Sequence, residues 1–285
     1  DLATRELRVR KVLNHRFPRH LLGAVPYLLS SELSDSGDDW RRTWSAILNS
    51  FLHPSIDAFL YGAEAALKDR NLHRPLLIYR NDGNSTRVAK TVALKTYGSG
   101  PRGGVAGVEA FAEHYGYGDA VMMDIGGTST DIAHIGASDG QEAINGMVEG
   151  IPVVFPMMGV HSLGAGGGSV MRVAKGKVTV GPDSVGAVPG PASFGQGGQE
   201  ATVTDAYLVT GTFDAASYLR GTLHLDIDRA RAAIKRNVAD PLGLTVEQGA
   251  FAIIDAYKDK IAAAIRDTLG GKRAKVLVAF GGGGP

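Results

Sequence analysis

The apolar positions of this chain fall into segments of two different periods. Over residues 40–68, Trp44, Ile47, Leu48, Phe51, Ile56, Phe59 and Leu60 recur at roughly helical spacing, and Pro54 predicts that the segment kinks or splits into two helices. Residues 76–79 form a short apolar run after Pro75, which predicts a buried strand running into the polar loop RNDGNST. Helical spacing returns through Val105, Val108 and Phe111, so residues 104–114 are expected as a helix starting where a glycine cluster ends. Residues 120–124 and 131–135 read as the two strands of a hairpin that turns at 126–129. Further strands are expected at 153–155, 169–173 and 177–180, with Gly176 turning the last pair. Residues 226–238 and 245–269 predict amphipathic helices, the second opening on Thr245 and Gln248 as a capping box. A buried strand over 275–280 then runs into GGGGP.

Composition narrows the class. A chain of 285 residues can bury a substantial core, and 44% hydrophobic with 21% charged residues is ordinary for a water-soluble globular fold. Thirty basic against 29 acidic residues give a formal charge of +1, so no global field points to nucleic acid or an anionic membrane surface. The absence of cysteine excludes disulfides, thiolate zinc sites and cysteine nucleophiles. No apolar run approaches the roughly 18 residues of a membrane helix, and the first residues lack the apolar segment of a signal peptide, so a cytoplasmic location is the expectation.

The 39 glycines change the picture, because they cluster at 98–104, 124–128, 164–169 and 281–285. Glycine lets a ligand approach the main chain closely, and several such loops in one chain suggest a phosphate-lined cleft. Tight turns between strands are the simpler reading of any one of them. The strongest chemistry lies in Asp124-Ile125-Gly126-Gly127-Thr128-Ser129-Thr130-Asp131. An aspartate at a strand end can hold a hydrated divalent cation, while the glycines and Thr128 aim amides and a hydroxyl at phosphate oxygens. Phosphoryl transfer depends on that positioning and charge stabilisation more than on a protein nucleophile. Asp124 would also suit orienting an attacking oxygen. A bare Gly-Gly hairpin, with Thr128 and Asp131 bonding the turn, is the structural alternative.

Other candidates are more ambiguous. His161, ahead of GAGGGS, stands where a substrate-side acid, base or ligand would sit, or it hydrogen-bonds the loop. Asp205 in TVTDAYL could orient a nucleophile or a metal-bound water, while Thr204-Asp205 also suits a helix N-cap. Ser99, Gly100, Arg102, Gly103 and Gly104 could bind a phosphate or carboxylate at the following helix start, or form a plain turn. The remaining histidines show no pairing at metal-ligand spacing. GAGGGS resembles a dinucleotide fingerprint only superficially, because β-type residues follow it.

The motifs DIGGTSTD, GVHSLGAGGGSV, TVTDAYL and FGGGGP, with LLIYRNDG and KTYGSGPRGG before them, resemble the hydantoinase A, 5-oxoprolinase and acetone or acetophenone carboxylase group over nearly the whole chain. The resemblance implies an α/β fold of the ribonuclease-H-like type found in actin, sugar kinases and Hsp70, with ATP and a divalent metal, Mg2+ or Mn2+, in a cleft between two lobes. By that resemblance Asp124, Gly126, Gly127 and Thr128 form the second phosphate element, Ser129, Asp131, Gly166 and Gly167 add nucleotide contacts, and Gly281, Gly282, Gly283 and Gly284 lie beside the adenosine. Asp124 would hold the metal. Gly283 and Gly284 stand where the family often has alanine and glycine. Such proteins carry a second aspartate-glycine-threonine hairpin near the N-terminus; only one occurs here, so the chain is expected to be a lobe incomplete at both ends. Residues 1–75 are expected as a helical and connecting segment and 76–285 as the ATP-binding lobe. The implied reaction phosphorylates a ketone-derived enolate, a cyclic amide oxygen or bicarbonate, with a hydantoinase B-type partner subunit. LIYRNDGNST and GSGPRGG look most like the ketone carboxylase branch; a hydantoinase or 5-oxoprolinase is the alternative enzyme, and a non-catalytic Hsp70-like switching module the alternative of another class.

Overall fold

A computed structural model describes residues 2–18, 20, 27–136, 142–143 and 146–283, so Gly284 lies outside the described residues. The chain opens with helices α1 (Leu2–Arg16) and α2 (Asp39–Asp69), a hairpin of β1 (Leu77–Tyr79) and β2 (Ser85–Arg87), and helix α3 (Ser99–Tyr115). Strands β3 (Asp119–Ile125) and β4 (Thr130–Gly136) follow, then the two-residue strands β5 (Glu142–Ala143), β6 (Met147–Val148), β7 (Ile151–Pro152) and β8 (Met157–Met158). Next come β9 (His161–Leu163), β10 (Ser169–Ala174) and β11 (Lys177–Ser184). Helices α4 (Val203–Val209), α5 (Ile227–Ile234), α6 (Asp240–Leu242) and α7 (Val246–Leu269) lead to β12 (Val276–Phe280). The chain divides into two compact units, residues 1–106 with 141–159, and residues 107–140 with 160–285. The division therefore falls at 106/107 rather than at the expected 75/76.

In the first unit, α2 is one uninterrupted helix that carries Pro54 inside it. The ring removes only one N–H, and because Pro54 and Ser50 are both exposed, water can satisfy the freed Ser50 carbonyl. Its buried face matches the apolar spacing only in part: Leu60 is buried and Leu48 packs on a small apolar cluster. Arg42, Ser45, Asn49 and Leu60 point inward, whereas Ile47, Phe51 and Phe59 are exposed. The inward polar groups are satisfied: Arg42 donates to Ser30, Ser36 and Asp39, and Asn49 Oδ1 accepts from the Leu94 amide at 2.9 Å. Val153 and Phe155 join Leu33, Leu94 and Val148 in a small apolar cluster, yet they lie outside any strand, contrary to the expectation for 153–155. The β1 strand pairs with β2 but leaves Leu77 60% exposed, so it is not the buried strand predicted. Helix α3 begins at Ser99, inside the glycine cluster rather than after it.

The second unit is built on a four-stranded sheet ordered β12-β3-β4-β9. The hairpin β3–β4 and the β4–β9 pair are antiparallel, while β12 adds to β3 in parallel, which needs the long helical crossover that 203–269 supplies. Alternation along β3 sends Val121, Met123 and Ile125 into the main core, where α7 meets them with Ala250, Ile253, Ile254, Tyr257, Ile261 and Ala264. That three-and-four spacing is the apolar stripe of an amphipathic helix. The capping box predicted for Thr245 and Gln248 opens α7. At the edge, β12 alternates half-buried and exposed positions and leaves Leu277 52% exposed, so it too is less buried than predicted. The β10–β11 hairpin forms as expected, and 226–238 forms α5 followed by a π-turn over 235–239.

Candidate functional site

Three glycine loops from distant parts of the sequence interlock at the end of β3. The first is the hairpin turn, closed by the Gly126 amide donating to the Ser129 carbonyl at 2.9 Å. Against it lies the 166–168 loop, whose Gly167 amide donates to Gly126 O at 3.0 Å and whose Gly168 amide donates to Gly127 O at 2.6 Å. A methyl group on Gly166 would sit 2.6 Å from Gly126 O and 2.8 Å from the carbonyl carbon of Thr128, so only glycine fits that approach. The third loop bends away from β12 at Gly281, with φ +86°, and returns through the Gly283 amide, which donates to Ile125 O at 3.0 Å. A side chain at Gly281 would overlap Asp124 Oδ1 and the Ile125 carbonyl. What remains unpaired is informative: among the described residues, the amides of Gly127 and Thr128 have no partner, and both residues are exposed. Two adjacent free donors on a glycine turn form an anion-binding concavity.

Two carboxylates stand beside this turn. Asp124 and Asp131 occupy paired positions across the β3–β4 ladder and therefore share one face of the sheet. Burial, and then the neighbouring Asp131 charge, hold the Asp124 carboxyl above its ordinary range. Asp131 Oδ1 is buried without a hydrogen-bond partner. A like-charged pair with an orphaned oxygen fits a hard divalent cation, which takes carboxylate oxygens readily. No group of three or more His, Asp or Glu side chains among the described residues could hold a metal. An ion here would draw its other ligands from phosphate and water, the usual situation for Mg2+.

A cavity of about 540 Å³ adjoins the glycine turn. Gly126, Gly127, Thr128, Gly167, Gly282 and Gly283 line it, so six of the residues expected to contact nucleotide come together there. Asp124, Ser129, Asp131, Gly166 and Gly281 do not line the cavity. Sequence reasoning missed the remaining wall, which includes Gly168, Thr204 and a row of aromatic side chains, Tyr207, Phe213, Tyr218 and Phe194. Tyr207 and Phe213 were within reach of a sequence signal, since the first lies in TVTDAYL and the second in the turn that follows, but nothing local shows that they face a cavity.

Two expected residues are elsewhere. Asp205 has no exposed surface. It is N3 of α4 rather than its N-cap: Thr202 is the cap, its hydroxyl accepting from the Asp205 amide while Asp205 Oδ2 accepts from the Thr202 amide and hydroxyl. Asp205 Oδ1 accepts from the Ser193 amide at 2.8 Å, which ties α4 to the 192–194 turn. Burial pushes its carboxyl up, and the hydrogen bonds from Ser193 and Thr202 pull the other way. His161 is exposed on β9, its Nδ1 3.4 Å from the Thr268 hydroxyl, and it does not line the cavity. Ser99, Gly100 and Gly103 line a separate apolar groove in the first unit, and Arg102 packs against Gly83 there.

The α/β sheet thus gathers glycine loops, free amides and paired carboxylates at one strand end, an arrangement whose chemistry suits an anion with a cation beside it. The profile of the hydantoinase/oxoprolinase family matches residues 42–285, and the chain belongs to that family. It is 32% identical to the acetophenone carboxylase gamma subunit of Aromatoleum aromaticum over 98% of this chain and 39% of that protein. A nucleotide-free structure of acetone carboxylase superposes with a TM-score of 0.80 at 28% identity, covering 88% of this chain and 36% of that one. The ATP-dependent caprolactamase of Pseudomonas jessenii superposes with a TM-score of 0.63 at 29% identity, covering 84% and 36%. The chain thus spans less than two-fifths of the length of each of these relatives. No helix among the described residues is long and apolar enough to cross a membrane.

Proposed function

We propose that this chain is the ATP-binding lobe, of the ribonuclease-H-like actin, sugar-kinase and Hsp70 type, of an enzyme that activates a small carbonyl compound by phosphoryl transfer. The convergence of the Gly126, Gly167 and Gly283 loops on one cavity, with two free amides on the glycine turn and two carboxylates beside the same turn, carries this reading. The amides of Gly127 and Thr128 and the Thr128 hydroxyl hold phosphate oxygens, and the glycines let the polyphosphate reach the main chain. Asp124 and Asp131 would hold Mg2+ or Mn2+, which when bound would neutralise phosphate charge and polarise the transferred group. Gly281 seats the adenosine-side loop against Asp124, which links nucleotide position to metal position. The substrate oxygen forms its bond to the terminal phosphorus while the bond to the departing nucleotide oxygen breaks, and the phosphorylated oxygen is then a leaving group. His161 and Asp205 fall outside this nucleotide machinery, the first exposed on β9 and the second engaged in the α4 cap.

The substrate we favour is a ketone, with carboxylation as the overall reaction. The acetone carboxylase superposition, at a TM-score of 0.80 against 0.63 for caprolactamase, supports that branch. The cyclic amide hydrolase reading keeps its support from the caprolactamase likeness. A second subunit of the hydantoinase B type completes either enzyme. ATP hydrolysis by the complete complex, measured with acetophenone or acetone plus bicarbonate and separately with a lactam, tests the assignment. Hydrolysis that rises with ketone supports the carboxylase, a rise with lactam moves the chain to the amidohydrolase branch, and turnover indifferent to both leaves a nucleotide switch.

A further inference from the structure

Helix α2 carries a second apolar stripe, on the side away from its own unit. At 3.6 residues per turn, Arg42, Ser45, Asn49 and Leu60 fall on one side of the helix, and they are its buried residues. Opposite them run Trp40, Trp44, Ile47 and Phe51, continued by Pro54, Ala58, Tyr61 and Ala65 at alternating intervals of four and three. Apart from half-buried Trp44 all of these are exposed, Phe51 by 80%, Trp40 by 64%, Ile47 by 51% and Tyr61 by 46%. Trp40 and Trp44 meet edge to face, with ring centroids 5.7 Å apart. A four-three apolar repeat sustained over residues 40–65 is the seam of a helix pair, and one helix of that pair is in place.

Side-chain size along the stripe selects its partner. The bulky Trp40, Ile47 and Phe51 lie in the first half, and the small Ala58 and Ala65 in the second. A second α2 laid antiparallel sets Trp40 against Ala65, Ile47 against Ala58 and Phe51 against Pro54, with Trp44 beside Tyr61. Bulky residues facing small ones fill the layers evenly. A parallel copy would crowd Trp40 on Trp40 and leave Ala58 facing Ala58 across a gap. The exposed charges agree: Asp35, Asp38 and Asp39 stand at the start of the helix, while Lys68, Arg70 and Arg74 outnumber Asp69 at its end and just beyond. Antiparallel copies bring these unlike ends together. The exposed parts of Trp40, Ile47, Phe51 and Tyr61 amount to roughly 500 Å² per copy, so a pair buries roughly 1,000 Å² before the small residues are added, which is enough for a specific interface.

We infer that the stripe from Trp40 to Ala65 is a self-association surface, on which the α2 helix of a second copy of this chain packs antiparallel about a two-fold axis near Leu52 and His53. Such an interface is the same patch on both copies, so each layer occurs twice. None of these residues lines the glycine cavity, and pairing therefore leaves the candidate nucleotide site as it is.

The test uses the complete enzyme. Ile47→Cys combined with Ala58→Cys in one chain should give disulfides between copies under mild oxidation, read as a linked dimer in denaturing electrophoresis and as a joined peptide pair from the two positions by mass spectrometry. Within one copy the two positions are about 16 Å apart along the helix, too far to bridge. Ile47→Cys alone should give no link, because antiparallel copies hold the two equivalent positions equally far apart; a link from this single variant means parallel helices and overturns the pairing. Phe51→Asp, added to the double variant, should cut the yield of linked dimer at least about tenfold, with circular dichroism and ATP hydrolysis unchanged. An unchanged yield overturns the proposal. So does a thiol in Ile47→Cys that maleimide labels freely, which leaves the stripe open to water. A thiol shielded from maleimide, with no link in the double variant, puts another segment or subunit on the stripe and overturns the second copy as its occupant.

Discussion

Asp124 and Asp131 face one another across the β3–β4 hairpin, with Asp124 Oδ1 also packed against Gly281. A carboxyl raised by burial and by a neighbouring carboxylate favours its protonated form in the folded protein. Its contribution to stability is therefore present below the unfolded value of about 3.9 and is lost as pH rises through the higher folded value. At neutral pH the ionised pair opposes folding until a cation joins it. Asp131→Asn should accordingly raise the melting temperature at pH 7 without divalent ions. The gain is limited to about 2–4 °C, because Asp124 is only half-buried and solvent screens part of the repulsion. Mg2+ should stabilise wild type more than this variant; thermal unfolding with and without the ion measures both, and equal Mg2+ effects would remove the metal from the pair.

Asp124→Asn should leave the fold intact and lower ATP turnover by the complete enzyme at least a hundredfold, since the amide keeps the size but loses the charge that holds the cation. Steady-state hydrolysis and circular dichroism decide it. Unchanged turnover would place the metal elsewhere.

Gly281 and Gly282 are neighbours with opposite expectations. A methyl at Gly281 meets Asp124 Oδ1 and Ile125 O at a positive φ, whereas nothing lies within 4 Å of a methyl at Gly282. Gly281→Ala should cost about 1–3 kcal/mol or more in chemical denaturation and weaken nucleotide binding, while Gly282→Ala stays within about 0.5 kcal/mol of wild type.

Asp205 accepts hydrogen bonds from Ser193 and Thr202 with no exposed surface, so Asp205→Ala strands three donors. A stability loss of about 2–4 kcal/mol is expected, against about 1 kcal/mol for Thr202→Ala. Full stability with abolished turnover in Asp205→Ala would return this residue to the catalytic group.

The hairpin at Gly126, the capping box of Thr245 and Gln248, the β10–β11 pair and the glycine loops were legible in the sequence, because each is set by residues within a few positions of one another. Local periodicity failed where packing chose a different face. The apolar spacing of α2 holds for Leu60, which is buried, and for Leu48, which packs on the small apolar cluster, but the inward side also carries Arg42, Ser45 and Asn49, whose partners Ser30, Ser36, Val154 and Leu94 lie in other segments. Pro54 predicted a break that exposure to water made unnecessary. Asp205 looked available for chemistry because its local motif says nothing about Ser193, twelve residues earlier in the chain, which takes one of its oxygens.

The sequence by itself determined which backbone could approach a phosphate, since glycine at 126, 127, 166 and 281 is a property of composition at fixed positions. Only the tertiary structure decided that these glycines touch: Gly283 reaches Ile125, and Gly168 reaches Gly127, through hydrogen bonds between segments that a sequence window never sees together. The same holds for the aromatic wall, where Phe194, Tyr207, Phe213 and Tyr218 meet because α4 and its flanking turns fold back on themselves. Short-range geometry is written in neighbouring residues, whereas a cavity is defined by long-range packing that the whole core must fix at once.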